Sequence, residues 1–227
     1  MPRLLLAGGG DAEDSQQLDT LLVQLTAGGS MLYLPIALAL QQRSYESCYH
    51  WIRAVFFPAR IDSITMWTDV SQKTVADVES FAAIYIGGGN TFKLLNDFRH
   101  TGFDHVLLHF IERGGIVYGG SAGAIIFGKD IMTASSLDSN DVGLQDTAGF
   151  DLVHGCSVWC HYHERDDPKI MAYIEQYQHP VIALSERTGL FVKDDMMQAT
   201  GFEPVIVFER QRRVAFPPTS PVTISES

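Results

Sequence analysis

The stretch Val117-Tyr118-Gly119-Gly120-Ser121-Ala122-Gly123-Ala124 places a hydroxyl among glycines, between an apolar run with strand character and an apolar run with helix character. Gly119, Ser121 and Gly123 fit the G-x-S-x-G spacing, whose physical content is a sharp turn that holds the middle side chain out at the carboxyl edge of a sheet. Flanking glycines let the backbone turn and let neighbouring elements approach closely. The helix that follows points free N–H groups at the serine, which favours negative charge developing there. The position suits a nucleophile. The alternative is a serine that only caps the helix.

A nucleophilic serine needs three kinds of support, and each has candidates. Gly87-Gly88-Gly89-Asn90 ends a separate apolar run, and its uncovered backbone N–H groups, with that of Ala122, could bind the oxygen of a tetrahedral intermediate. A phosphate-binding turn is the competing reading; Gly8-Gly9-Gly10 poses the same alternatives with a weaker claim. A base within hydrogen-bond reach must take the hydroxyl proton. His161 and His163 alternate around Tyr162 and are expected on one strand face. Glu186, in Ala183-Leu184-Ser185-Glu186-Arg187, falls at the end of the next expected strand and could orient the base. Cys156, Cys160, His161 and His163 also raise a zinc reading, but C-x3-C-H-x-H lacks a second knuckle, so no metal is assigned and no cofactor is expected.

These residues can act together only if the chain brings several strand ends to one edge. Apolar runs at 3–7, 31–38, 62–67, 82–86 and 116–118 read as strands. Residues 15–25, 45–57, 71–81 (with Ser71 as N-cap), 90–98 (with Asn90 as N-cap) and 104–113 read as helices between them. Such alternation predicts an α/β fold, a mostly parallel sheet with helices on both faces. Residues 133–149, rich in Asp and Ser, read as a loop or lid. Strands at 157–162 and 180–184 flank a helix at 168–177, and the alternation over 189–216 predicts antiparallel strands near the C-terminus. One domain, 1–216, and a flexible tail, 217–227, are expected, with Ser121, His161 and Glu186 at strand ends along a single sheet edge.

Composition narrows the partners. A formal net charge of -11 with no dense basic run disfavours nucleic acid. No apolar run reaches the roughly 18 residues a spanning helix needs, so no membrane partner is expected. The opening MPRLLLAGGGDAED reads as a first strand rather than a targeting segment. Three cysteines, one far from the other two, argue against a disulfide framework and for a cytoplasmic home. A homodimer is compatible with all of this.

The stretches YIGGGNTFKLL (85 to 95), GGSAGAIIFG (119 to 128), CHY (160 to 162) and ALSERTGLFV (183 to 192) together resemble the peptidase E and cyanophycinase family of serine peptidases. The family's fold is like that of class I glutamine amidotransferases, a three-layer sandwich. The resemblance implies Ser121 as nucleophile, His161 as base, Glu186 as third member, and Gly88 and Ala122 as oxyanion-hole donors. It also implies hydrolysis of short peptides with an acidic first residue, dipeptides with N-terminal Asp above all. Asn90, Arg165 and Arg187 are then the substrate-binding candidates. The chain departs from the family in carrying Trp159-Cys160 where Asn-Pro often precedes the histidine. In peptidase E an acidic residue near the nucleophile also competes for the third role; Ser136 holds that ungapped position here, with Asp138 and Asp141 close by. An amidotransferase-like amidase and a catalytically silent binding domain of the same fold are the alternatives.

Overall fold

A computed structural model describes residues 2–38, 43–57, 61, 63–210 and 212–225. The chain runs β1 (Arg3–Ala7), α1 (Gln16–Thr26), β2 (Met31–Leu34), α2 (Tyr45–Phe56), β3 (Ile64–Met66), α3 (Val75–Val78), β4 (Ala83–Ile86), α4 (Thr91–Thr101), α5 (Phe103–Glu112), β5 (Ile116–Gly120) and α6 (Ala122–Ile125). It continues through β6 (Ser157–Trp159), α7 (Asp167–Tyr177), β7 (Val181–Ala183), β8 (Thr188–Lys193), β9 (Met196–Gly201), β10 (Val205–Glu209), β11 (Arg212–Phe216) and β12 (Pro221–Val222).

Among the described residues, eight strands form one sheet in the order β12-β9-β8-β1-β5-β4-β2-β3. Its β1, β5, β4, β2 and β3 pair in parallel, and β8, β9 and β12 add on antiparallel. A second sheet has the order β11-β10-β7-β6. The single edge expected from the sequence is therefore a seam between two sheets: Ser121 follows a strand of the first, while His161 follows one of the second.

The parallel strands are continuous apolar runs because both faces are covered. Leu5, Met31, Tyr33, Ala83, Tyr85, Ile116 and Tyr118 pack with Leu18, Leu22, Cys48, Ile52 and Phe56 of α1 and α2. Leu4, Leu6, Leu32, Leu34, Ile84, Ile86 and Val117 pack with Phe92, Leu95, Phe98, Leu107 and Phe110 of α4 and α5. Alternate side chains of each strand thus serve opposite helical layers, and each fully buried Leu or Phe contributes about 1.5–3 kcal/mol. A smaller core, with Trp159, Ile170, Tyr173, Ile182's neighbours Val181 and Ala183, and Phe208, joins α7 to the second sheet.

Several expected boundaries move for local reasons. The helix placed at 71–81 is reduced to α3, because Ser71 Oγ bonds back to Asp69 while Thr74 and Asp77 cap each other reciprocally. The strand expected at 31–38 ends at Leu34, and that at 157–162 ends at Trp159, since His161 adopts φ 53° and breaks the extended path. Asp62, the expected start of β3, lies outside the described residues. The stretch expected as a frayed tail contains β12, which pairs with β9 and buries Val222; the backbone N–H of Ser225 donates to Glu209 Oε1 at 2.7 Å.

Candidate active site

The turn around Ser121 is dictated by steric exclusion. A Cβ on Gly119 would lie 2.2 Å from the Gly123 carbonyl oxygen, and one on Gly123 would lie 2.4 Å from that of Ile86. Both positions admit only glycine, so β5, α6 and β4 close to backbone contact. Ser121 sits between them at φ 49°, ψ -110°, a conformation that L-residues rarely adopt. Its backbone N–H donates to the Ala7 carbonyl at 3.0 Å, and its carbonyl accepts from the N–H groups of Ala124 and Ile125 at 2.7 and 3.0 Å. The following helix is a single turn, so what faces the serine is the leading amide of α6 rather than an extended macrodipole.

Ser121 Oγ lies 2.9 Å from His161 Nε2, and His161 Nδ1 lies 3.1 Å from Glu186 Oε1. A neutral imidazole with its proton on Nδ1 donates to the carboxylate and leaves Nε2 to accept from the serine hydroxyl. Beside Ser121 is Gly88, where a Cβ would be 3.3 Å from Ser121 Cβ and 3.8 Å from its Oγ. Ala122, the first residue of α6, has no acceptor one turn back for its N–H. The structure thus brings Ser121, His161, Glu186, Gly88 and Ala122 together.

What joins the two sheets here is the end of β1. The Gly8 carbonyl accepts from the His161 N–H at 2.9 Å and the Gly8 N–H donates to Thr188 at 3.0 Å, while the Tyr162 N–H donates to Leu184 at 3.0 Å. At Gly9, φ 131°, a Cβ would come within 2.2 Å of His161 Cε1, so the imidazole rests against the glycine backbone. The Gly8-Gly9-Gly10 run, which had the weaker claim from sequence, is the floor under the His161 ring. Three glycines at the end of the first strand were a signal for close approach, though not for what approaches.

The remaining candidates separate. His163 is exposed and its N–H donates to Asp166 Oδ2, so the expected alternation with His161 does not survive the positive φ between β6 and Tyr162. Asn90 caps α4, its Oδ1 accepting from the Lys93 N–H at 2.8 Å, and its Nδ2 donates to the Ser139 carbonyl at 2.8 Å. Asp138 Oδ2 accepts from the Thr91 N–H and hydroxyl at 2.8 and 2.6 Å, and Asp141 accepts from the Ser139 hydroxyl. Ser136 is exposed. With Arg99 donating to the Asp146 and Ala148 carbonyls, the expected lid is pinned along α4. Arg187 is engaged by Asp14 and Phe202, whereas Arg165 is exposed on a 3-10 turn, Glu164–Asp166.

Cys160, next to His161, is fully buried, and its thiol points to the Ser121 and Ala7 carbonyls at 3.6 and 3.8 Å. Burial pushes its pKa well up and that of Cys156 up to about 12, so both stay protonated and are poor nucleophiles and ligands. Among the described residues no three His, Cys, Asp or Glu side chains gather as metal ligands.

Residues 4–200 match the model of peptidase family S51. The chain belongs to that family. It is 25% identical over 205 residues to peptidase E of Streptomyces coelicolor, covering 85% of this chain and 80% of that protein. To peptidase E of Shigella flexneri it is 29% identical over 131 residues, 58% of this chain and about half (53%) of the relative. A peptidase from an acI-B1 Actinobacterium shares the fold with a TM-score of 0.73 at 18% identity, covering 99% of this chain and 97% of that one. Membership makes the chain a hydrolase, a serine peptidase of the peptidase E type. Among the described residues no helix is long and apolar enough to cross a membrane.

Proposed function

We propose that the chain hydrolyses short peptides, dipeptides with N-terminal Asp foremost, through a Ser121-His161-Glu186 triad and an acyl-enzyme. The observation that carries this is the unbroken line from Ser121 Oγ through both ring nitrogens of His161 to Glu186 Oε1, at 2.9 and 3.1 Å. Ser121 Oγ attacks the carbonyl carbon while its proton passes to His161 Nε2. The N–H groups of Gly88 and Ala122 take the developing oxyanion. His161 then gives the proton to the leaving amine as the C–N bond breaks. Water repeats the cycle on the ester, its proton passing through His161 to Ser121.

Arg165 is the cation we assign to the acidic side chain of the first substrate residue, because a carboxylate drawn out of water needs a partner and this exposed guanidinium, unlike Arg187, pairs with no carboxylate among the described residues. Three unpaired, buried cysteines suit a reducing compartment, the cytoplasm.

The test uses a fluorophosphonate probe and a dipeptide series differing in the charge of the first residue. Labelling confined to Ser121, and loss of at least about a thousandfold in kcat/KM in a folded Ser121→Ala variant, are expected. A fully active Ser121→Ala removes the mechanism. No labelling of the wild-type chain points to a silent binding domain, and no preference for acidic first residues removes the specificity alone.

A further inference from the structure

Glu186 is the most open member of the triad, its side chain 49% exposed. Water competes for such a carboxylate, and so does any cation within reach. The next residue, Arg187, carries one. A free guanidinium at that position would offer Glu186 a two-pronged pairing stronger than the single bond from a neutral imidazole, and it would draw the carboxylate off His161.

The structure holds Arg187 elsewhere. Its Nε lies 3.4 Å from Asp14 Oδ1, its guanidinium stands 5.0 Å from the centroid of the Phe202 ring, and its carbonyl accepts from the Phe202 N–H at 2.8 Å. Asp14 Oδ2 also accepts from the Asp11 N–H at 3.3 Å. At Gly10, φ 79°, a Cβ would meet Asp14 Oδ2 at 2.8 Å and the Glu186 carbonyl oxygen at 2.9 Å. Asp14 therefore stands where the glycine turn beneath His161 meets the turn that carries Glu186.

We infer that Asp14 is a positioning residue for the hydrolysis: it retains Arg187 and so leaves the Glu186 carboxylate to His161. This rests on the triad reading above. On the far side of the same turn, Ser185 Oγ donates to Glu203 Oε2 at 2.6 Å and lies 2.8 Å from Thr188 Oγ1, so the turn's backbone stays in place when Asp14 is altered. What changes is the freedom of one guanidinium.

Asp14→Asn keeps the side chain's shape and an acceptor for the Asp11 N–H but drops the charge. Its kcat on an Asp-first dipeptide should fall about tenfold with KM within about twofold, and fluorophosphonate labelling of Ser121 should slow by the same ratio. Adding Arg187→Met should restore most of the lost rate, because the competing cation is gone. A loss of side-chain packing alone would not be repaired by a second truncation. Asp14→Ala carries the same expectation if the first variant does not fold. Full labelling rate in Asp14→Asn, or a double variant as slow as the single one, overturns the inference. Glu186→Gln, run in parallel, separates the two levels. A slow Glu186→Gln beside an unaffected Asp14→Asn removes Asp14 alone, and a fully active Glu186→Gln removes both the triad and the role of Asp14.

Discussion

The two halves of the site are built by different physics. On the side of β4 and β5, Ser121 and Gly88 are placed by backbone contact: Gly119, Gly123 and Ile86 approach so closely that a single methyl group has no room. On the side of β6 and β7 the His161 ring also rests on Gly9, but the His161 and Glu186 side chains are 34% and 49% exposed and are aligned by hydrogen bonds. A steric scaffold fixes Ser121 without depending on pH or salt. A polar scaffold near solvent can be adjusted one group at a time, since exposed pairs contribute little to stability. On the triad proposed above, stability rests on the first half and rate on the second.

The largest expected effect breaks the steric half. Gly123→Ala drives a methyl into the Ile86 carbonyl and should cost about 3 kcal/mol or more in urea unfolding. A loss under about 1 kcal/mol there would mean that the turn relaxes freely. Next comes the polar half: Glu186→Gln should lower kcat about a hundredfold while leaving the unfolding midpoint unchanged, less than a buried third carboxylate would cost because water already shares this one. A matching fall in stability would erase the distinction between the halves.

The smallest effect sharpens the comparison from behind the nucleophile. Tyr33, Tyr85 and Tyr118 stand in register across β2, β4 and β5, with Tyr85 and Tyr118 stacked at 4.4 Å, and Asp19 of α1 is buried on the same side of the sheet. Burial raises the Asp19 carboxyl from 3.8 to about 6, partly offset by the bond from the Ser15 hydroxyl at 2.9 Å. The folded state thus binds this proton more tightly than the unfolded one. Its contribution is complete below pH 3.8 and is lost as pH rises through about 6. Asp19→Asn should flatten that part of the stability profile and be more stable than wild type by about 3 kcal/mol at pH 7, with kcat unchanged.

Much of the nucleophile half was legible because its constraint is local. G-x-S-x-G states in five residues that a turn must close without side chains, and GGGN adds the neighbouring strand end. Glu186 was legible by resemblance and by its place after an apolar run. The polar half hides its supports. Nothing near Gly9 in sequence reveals that His161 will lie on it, and Arg187 looked like a substrate ligand because Asp14, its partner, is far away along the chain. Thr74 and Asp77 did carry a visible capping pair, which the earlier Ser71 obscured. The division into two sheets was not readable, since strand order depends on pairings such as β6 with β7 that no local pattern encodes.

The hydrogen bonds from Ser121 to Ala7, from His161 to Gly8 and from Gly8 to Thr188 set the order in which activity can arise. On a growing chain the first strand exists long before its last partners, and contacts so distant in sequence close late. A nascent molecule lacking β6 to β8 carries the residues of the turn at Ser121 but neither His161 nor Glu186. On the mechanism proposed above, the serine turn therefore waits for the second sheet before it can hydrolyse anything.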